Sequence, residues 1–172
     1  MRSLVPLIIC AALIAGCQTS GEAVKSAVRF DPALAAFINT NGRTTIEGHA
    51  FLQKKNGVVV NVAGELVRLV PVTPYSTDRF KTIYEGKKFR RGYNADRIAA
   101  ADPGYETFTR STKSEANGKF SFEHVGPGRY YVATQLIYAG ASVYDPEGGA
   151  FYDEVTVTGK EEEPVKVILS GN

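Results

Sequence analysis

The stretch 116–138, ANGKFSFEHVGPGRYYVATQLIY, constrains this chain more than any other. Asn117 and Gly118 both accept positive φ, so the pair predicts a tight hairpin turn of type I′. Lys119-Phe120-Ser121-Phe122-Glu123 then alternates polar and aromatic, the period of a strand with one buried face, and puts Phe120 and Phe122 on that face. Gly126-Pro127-Gly128 breaks the strand, because proline fixes φ and the glycines permit a bend. From Arg129 a long β-branched and aromatic run follows, with Tyr130, Val132, Thr134 and Leu136 on one face. Val125 is placed to plug the end of the fold between the two strands.

The flanking sequence continues the pattern. Strands are predicted at 44–53, with Ile46, Gly48, Ala50 and Leu52 on one face, and at 58–62, 65–73, 108–114, 151–158 and 164–169. The segment 54–57 reads as a turn and 139–149 as a loop. Strand 65–73 is apolar on both faces, so both should be partly covered. Seventeen glycines, nine tyrosines and nine phenylalanines suit a turn-rich β protein. Asp31-Pro32 offers an N-cap followed by proline at the first helical position, which predicts a short helix at 32–39 with Leu34, Phe37 and Ile38 on one face. The segment 22–29 has weak periodicity and is compatible either with disorder or with lying on the body. The segment 74–109 reads as an insertion covering one side or end of the body. Ser76 or Thr77 would cap a helix at 78–85 ended by Gly86, Lys87-Lys88-Phe89-Arg90-Arg91 forms a basic cluster around an aromatic ring, and 95–101 suggests a further helical turn.

The run Asn117-Gly118-Lys119-Phe120-Ser121-Phe122, with Val125, Pro127-Gly128 and Tyr130-Tyr131-Val132, resembles the carboxypeptidase regulatory-like domain, which belongs with Cna B-type and transthyretin-like (prealbumin-like) sandwiches. The resemblance implies an all-β fold: a seven- to eight-stranded antiparallel transthyretin-like β-sandwich at 44–172, here with a partly helical insertion at 74–109. It implies no activity, since one scaffold hosts many functions. The transthyretin-like group includes 5-hydroxyisourate hydrolase, which has a histidine near its first strand, where His49 stands here. That enzyme also needs a second histidine, an arginine and a terminal Tyr-Arg-Gly-Ser, whereas this chain reads Ile168-Leu169-Ser170-Gly171-Asn172 and has His124 in a turn. His49 is therefore expected to be a strand residue, hydrogen-bonded near a sheet edge.

At the other end, Met1-Arg2-Ser3 is a short positive segment, residues 4–14 are apolar apart from Pro6, and Ile14-Ala15-Gly16-Cys17 follows. The apolar run is shorter than the roughly 20 residues that span a bilayer, so it reads as a cleaved signal peptide, 1–16. Its ending resembles a bacterial lipobox, with Ile14 in place of the commoner leucine. That implies a diacylglycerol-modified and acylated (palmitate-type) Cys17 as the first mature residue, 17–43 as tether and short helix, and attachment to the lipid bilayer of a cell envelope. Gln18, where inner-membrane enterobacterial lipoproteins carry aspartate, points by the same resemblance to the outer membrane of a Gram-negative bacterium. With Cys10 removed and Cys17 lipidated, no intrachain disulfide is available.

The mature chain carries 19 Lys and Arg against 18 Asp and Glu. That balance offers no field to attract nucleic acid. No cofactor motif, no clustered Cys/His set for zinc and no GxSxG setting for a nucleophile is present, so no catalytic residue, metal site or cofactor is assigned. Asp145, Glu147, Asp153 and Glu154 match no calcium-loop spacing and read as solvated acids. The insertion is the functional lead: between Tyr75 and Arg110 eight Lys/Arg face five acids, interleaved with tyrosines and phenylalanines. Tyr84, Lys87, Lys88, Phe89, Arg90, Arg91 and Tyr93 are the candidate ligand-binding residues, suited to stacking on sugars or holding anions. The plainer alternative has the aromatics packing inward and the charges facing water. The expectation is a non-enzymatic, membrane-anchored lipoprotein with a structural or binding role; the alternatives are a subunit that binds an envelope protein or a glycan through the basic aromatic insertion, and a hydrolase.

Overall fold

The computed structural model describes residues 23–54, 56–92, 98–142 and 145–171. Two sheets face one another. In the first, β1 (Asn41–Gln53) is the centre. One of its edges carries β6 (Lys119–Val125) and then β2 (Val59–Asn61), both antiparallel, and the other carries β9 (Val165–Gly171), parallel. The second sheet has the order β4-β8-β7-β3-β5. Its strands are β3 (Leu66–Pro71), β4 (Phe89–Arg91), β5 (Arg110–Lys113), β7 (Gly128–Ser142) and β8 (Asp145–Val157), all antiparallel. The all-β sandwich is as expected. Among the described residues it has nine strands; the added one is β4, and the β1–β9 pair departs from a wholly antiparallel plan.

Between the sheets, Ile46, Leu69, Tyr130, Val132, Phe151 and Leu169 are fully buried, with Phe120, Phe122 and Val125 beside them. The inward faces read from the alternation of 119–136 are the observed ones. The Asn117-Gly118 turn is different. Asn117 keeps negative φ while Gly118 takes φ +80, so the turn is not type I′. Gly118 N–H closes on Glu115 C=O at 2.9 Å and Glu115 N–H on Lys119 C=O at 2.7 Å. Beyond that turn the two arms part: β5 joins the second sheet and β6 the first. Gly126-Pro127-Gly128 then carries the chain back across. The stretch is thus a double sheet-crossing, and the core closes over both of its strands.

Tyr130 shows how such a crossing is pinned. Its hydroxyl donates to the Gly126 carbonyl at 2.8 Å across the bend, and burial pushes that hydroxyl's pKa up to about 12. His124, expected in a turn, lies within β6 in the left-handed region (φ 56), where the β1–β6 register shifts. Within the loop expected at 139–149, residues 139–142 and 145–149 are strand, and β7 and β8 pair antiparallel along their length.

The outer face of the second sheet carries its own apolar layer. α2 (Pro74–Tyr84) starts earlier than Ser76 or Thr77 suggested, because Thr73 is the cap. Thr73 Oγ1 accepts the Ser76 N–H at 3.2 Å and Ser76 Oγ accepts the Thr73 N–H at 2.8 Å, a reciprocal capping box with Pro74 at N1. Phe80 then stacks on Tyr131, with ring centroids 4.2 Å apart, and Tyr84 lies 4.4 Å from Tyr152. α3 (Pro103–Thr107) brings Tyr105 against Tyr75. Residues 95–97 lie outside the described set, and Ile98 forms a bridge with Val24 rather than a helical turn. The segment before β1 lies on the body: Phe30 is buried among Tyr75 and Tyr105, and Ser26 donates to Asp78 at 2.6 Å. α1 (Pro32–Ala35) and the 3-10 turn Ala36–Asn39 fill the predicted 32–39 span under the Asp31 cap. The 3-10 winding turns Phe37 and Ile38 inward and leaves Leu34 half exposed.

Gly48 is required by close approach. It pairs with Phe120, and a Cβ at 48 would sit 2.0 Å from the tip of the Phe120 ring, which lies across the glycine. The ring is walled in by the core and cannot yield without repacking. Gly48→Ala is therefore expected to cost about 1–3 kcal/mol in denaturant unfolding. Adding Phe120→Leu should recover part of that loss, and strict additivity of the two would show that the ring does not cover residue 48.

Candidate functional site

The inward register of four strands runs past the end of the core, and there the side chains change character. On β1 the inner positions go from Leu52 to Lys54 just beyond the strand. On β7 they go from Leu136 to Tyr138, on β8 from Phe151 through Gly149 to Glu147, and on β4 from Phe89 to Arg91. The period-2 geometry of strands brings these last positions together at one end of the sandwich. They surround a cleft of about 380 Å³ lined by Leu52, Gln53, Lys54, Asn56, Arg91, Tyr138, Glu147 and Gly148. This is within the size range of small-ligand sites.

Glu147 is the hub. Its Oε2 accepts the Tyr138 hydroxyl at 2.9 Å and lies 3.3 Å from Lys54 Nζ, while that ammonium sits 4.8 Å from the centre of the Tyr138 ring. The Tyr138 hydrogen bond, then Lys54, hold the Glu147 carboxyl below the usual glutamate range. The same two partners hold the Lys54 ammonium above its ordinary value. The sign follows. Glu147's favourable contribution is present above the unfolded-state pKa and is lost as pH falls through its lowered one. Lys54's contribution is present below its unfolded-state pKa and is lost as pH rises through its raised one. The pair is open to water, so it shapes the cleft and adds little to stability.

The predicted binding residues are dispersed. Arg91 lines the cleft. Phe89 packs on Phe151 at 6.0 Å. Arg90, on the opposite face of β4, donates to the Ile83 carbonyl at 2.6 Å and pairs with Glu85 at 2.8 Å. Lys88 pairs with Asp153, Lys87 is exposed, and Tyr84 is buried in the outer apolar layer. Tyr93 and Cys17 lie outside the described residues. The cleft's other polar members lie outside the predicted set: in the sequence Lys54 and Asn56 read as turn, Tyr138 as the end of a strand and Glu147 as a loop acid. The signal that could have found them is the continuation of each strand's alternation beyond its last apolar residue.

His49 is hydrogen-bonded, with Nε2 3.2 Å from Asn61 Oδ1, but on the central strand rather than near an edge. It faces outward and lines neither this cleft nor the second groove described below. Asp153 pairs with Lys88, Glu154 with Arg129 and Glu147 with Lys54, so each carboxylate has its own cation. Among the described residues no three His, Cys, Asp or Glu side chains gather.

A second groove, about 370 Å³, runs between α2, α3 and the outer face of the second sheet, where Ala133 and Ala150 leave room. Its arginines are already engaged: Arg68 pairs with Glu106 at 2.6 Å, and Arg79 donates to the Ala99 carbonyl at 3.1 Å and faces the Tyr75 and Tyr105 rings. Its walls are mostly edges of the outer apolar layer. The end cleft, by contrast, offers amides, an ammonium, a guanidinium, a carboxylate and a phenol.

No protein-family model matches the chain, and no curated protein matches it. Among solved structures the fold is similar to that of PA1324 from Pseudomonas aeruginosa, a candidate carbohydrate-binding protein, with a TM-score of 0.69 and 26% identity over 83% of this chain and 98% of that one. A 9R-lipoxygenase from Cyanothece aligns at a TM-score of 0.29 and 7% identity over 84% of this chain and 17% of that one, which carries no argument.

Removing the phenol hydroxyl tests the triad. In Tyr138→Phe the Glu147 carboxyl is expected to titrate nearer the ordinary glutamate value, and Lys54→Met should raise it too. Carbon-detected NMR pH titration reads both. A Glu147 that titrates identically in wild type and both variants would show that the triad is not formed in solution.

Proposed function

We propose that this protein is a cell-envelope lipoprotein whose sandwich is a non-catalytic, glycan-binding module of the carboxypeptidase regulatory-like, transthyretin-like kind, with the end cleft as its binding site. The observation that carries the reading is the likeness to PA1324 along nearly all of that protein's length. The chemistry of the cleft supports it. A sugar presents donors and acceptors together with apolar C–H faces. The amides of Gln53 and Asn56 supply both kinds of hydrogen-bonding group, Glu147 accepts, Lys54 and Arg91 donate, and the Tyr138 ring is an apolar wall. The lipid anchor is Cys17, read from Ile14-Ala15-Gly16-Cys17, and the outer membrane of a Gram-negative bacterium is the proposed address.

One observation favours a second reading, an envelope protein partner. The outward face of the first sheet exposes Ile168 (62%) and Val59 (53%) beside Phe51 and His49.

Two experiments separate these claims. On an array of envelope and plant-type oligosaccharides the full chain should retain a subset, and Tyr138→Ala should weaken retention about tenfold or more, the scale expected for a central aromatic contact. Retention of no sugar, with a partner protein lost on Ile168→Asp, would favour the second reading. Independently, Cys17→Ser should move the protein from the membrane fraction to the soluble envelope fraction; an unchanged distribution would remove the anchor.

A further inference from the structure

We infer that the end cleft is built for an acidic sugar, and that Arg91 is the residue that takes its carboxylate. The inference rests on the glycan reading above and concerns the same site.

The charges at the cleft do not balance. Lys54 and Arg91 are cationic and Glu147 is the lone anion among the described lining residues. Glu147 is already committed: it accepts from Tyr138 and is 3.3 Å from Lys54. The ammonium is thereby neutralised locally. Arg91 makes no ion pair or hydrogen bond among the described residues, and the Glu147 carboxylate acts on it only at longer range. The contrast along β4 and just before it is informative. Lys88 has Asp153, and Arg90 has Glu85 and the Ile83 carbonyl. Arg91, one residue on, turns to the inner face at the point where the core has ended, and its guanidinium is exposed at the cleft.

A guanidinium presents its N–H groups as a planar fork that matches the two oxygens of a carboxylate. A hexuronate supplies that carboxylate on a ring whose hydroxyls suit Gln53, Asn56 and Glu147. A neutral sugar would satisfy those three side chains and offer the guanidinium only single hydroxyl contacts, not the paired oxygens of a carboxylate. Gly149, opposite Arg91 in the β4–β8 ladder, has no side chain to compete for the space on the inner face. Glu147 guards against non-specific anions, because a ligand with dense negative charge would meet its carboxylate. The expected ligand therefore carries isolated carboxylates on a hydroxylated ring.

The test is calorimetric titration of the full chain with tri- and tetra-oligomers of galacturonate and of glucuronate, each compared with its methyl ester. The acids are expected to bind about 10- to 100-fold more tightly than the esters, the range for a hydrogen-bonded charged group. Arg91→Gln should bring the acid-to-ester ratio to about one, whatever it does to ester binding itself, and Arg91→Lys should restore only part of the ratio. Lys88→Gln, which removes an equal charge outside the cleft, should change neither. Arg91 is exposed, so all of these variants should unfold like wild type, which circular dichroism checks. Esters binding as tightly as acids would overturn the inference and leave the glycan reading intact. An Arg91→Gln variant that still prefers the acids, or a polyglutamate peptide that binds as well as the uronates, would also overturn it. Failure of every acid and every ester to bind would remove the inference and count against the glycan reading together.

Discussion

The fold depends on the pairing of β1. This one strand is hydrogen-bonded along both edges, antiparallel to β6 and β2 on one side and parallel to β9 on the other. A one-residue slip would turn Ile46, Ala50 and Leu52 to water and bring Glu47 and Gln53 into the core. Two features fix the register against that slip. The Phe120 ring fills the space that Gly48 leaves, so the sequence positions of one glycine and one aromatic ring are tied to each other. At the strand's beginning, Thr44 donates at 2.8 Å to Glu161, whose carboxylate also accepts from the Thr158 amide and hydroxyl and the Gly159 amide. Those bonds, led by the Thr158 hydroxyl, hold Glu161 down to about 2. The β8–β9 turn is thereby tied to the start of β1, from which β9 runs parallel.

Much of this was legible in short-range pattern. Alternation in 119–136 identified the inward face of both strands, since a half-buried strand has no other period. The Asp31-Pro32 cap identified the helical span at 32–39. What was not legible was pairing. Asn117-Gly118 predicts a local reversal and delivers one, yet which sheet each arm joins depends on contacts far along the chain. β4 was hidden for a different reason. Its three residues are Phe, Arg and Arg, and their alternation is between an apolar ring and guanidinium groups with long apolar stems. The parallel partnership of β9 with β1 likewise left no mark in either strand.

The site shows the same division. The charge and aromatic surroundings of Arg91 mark it as a candidate in the sequence, and it does reach the cleft. Lys88 and Arg90, equal in charge, are engaged by Asp153 and Glu85 instead. Composition cannot separate these cases, because strand parity and the point where the core ends decide them. Lys54, Tyr138 and Glu147 are distant in sequence and read there as a turn, a strand end and a loop. Each is one step of two beyond an apolar inner residue or an inward glycine of its own strand. That regularity becomes visible only when the four strands are aligned.

The placement of the cleft separates binding from folding. Its polar groups lie beyond the last core layer, so their desolvation was not a cost of forming the sandwich. Their mutual bonds, open to water, contribute little to holding it together. The two apolar layers supply the stability, and neither includes Lys54, Tyr138, Glu147 or Arg91. The cleft can therefore change its ligand through side chains at strand ends while β1 and its partners keep their register. Recognition thus sits where packing no longer constrains the residue, and the strands beneath hold it to a fixed geometry.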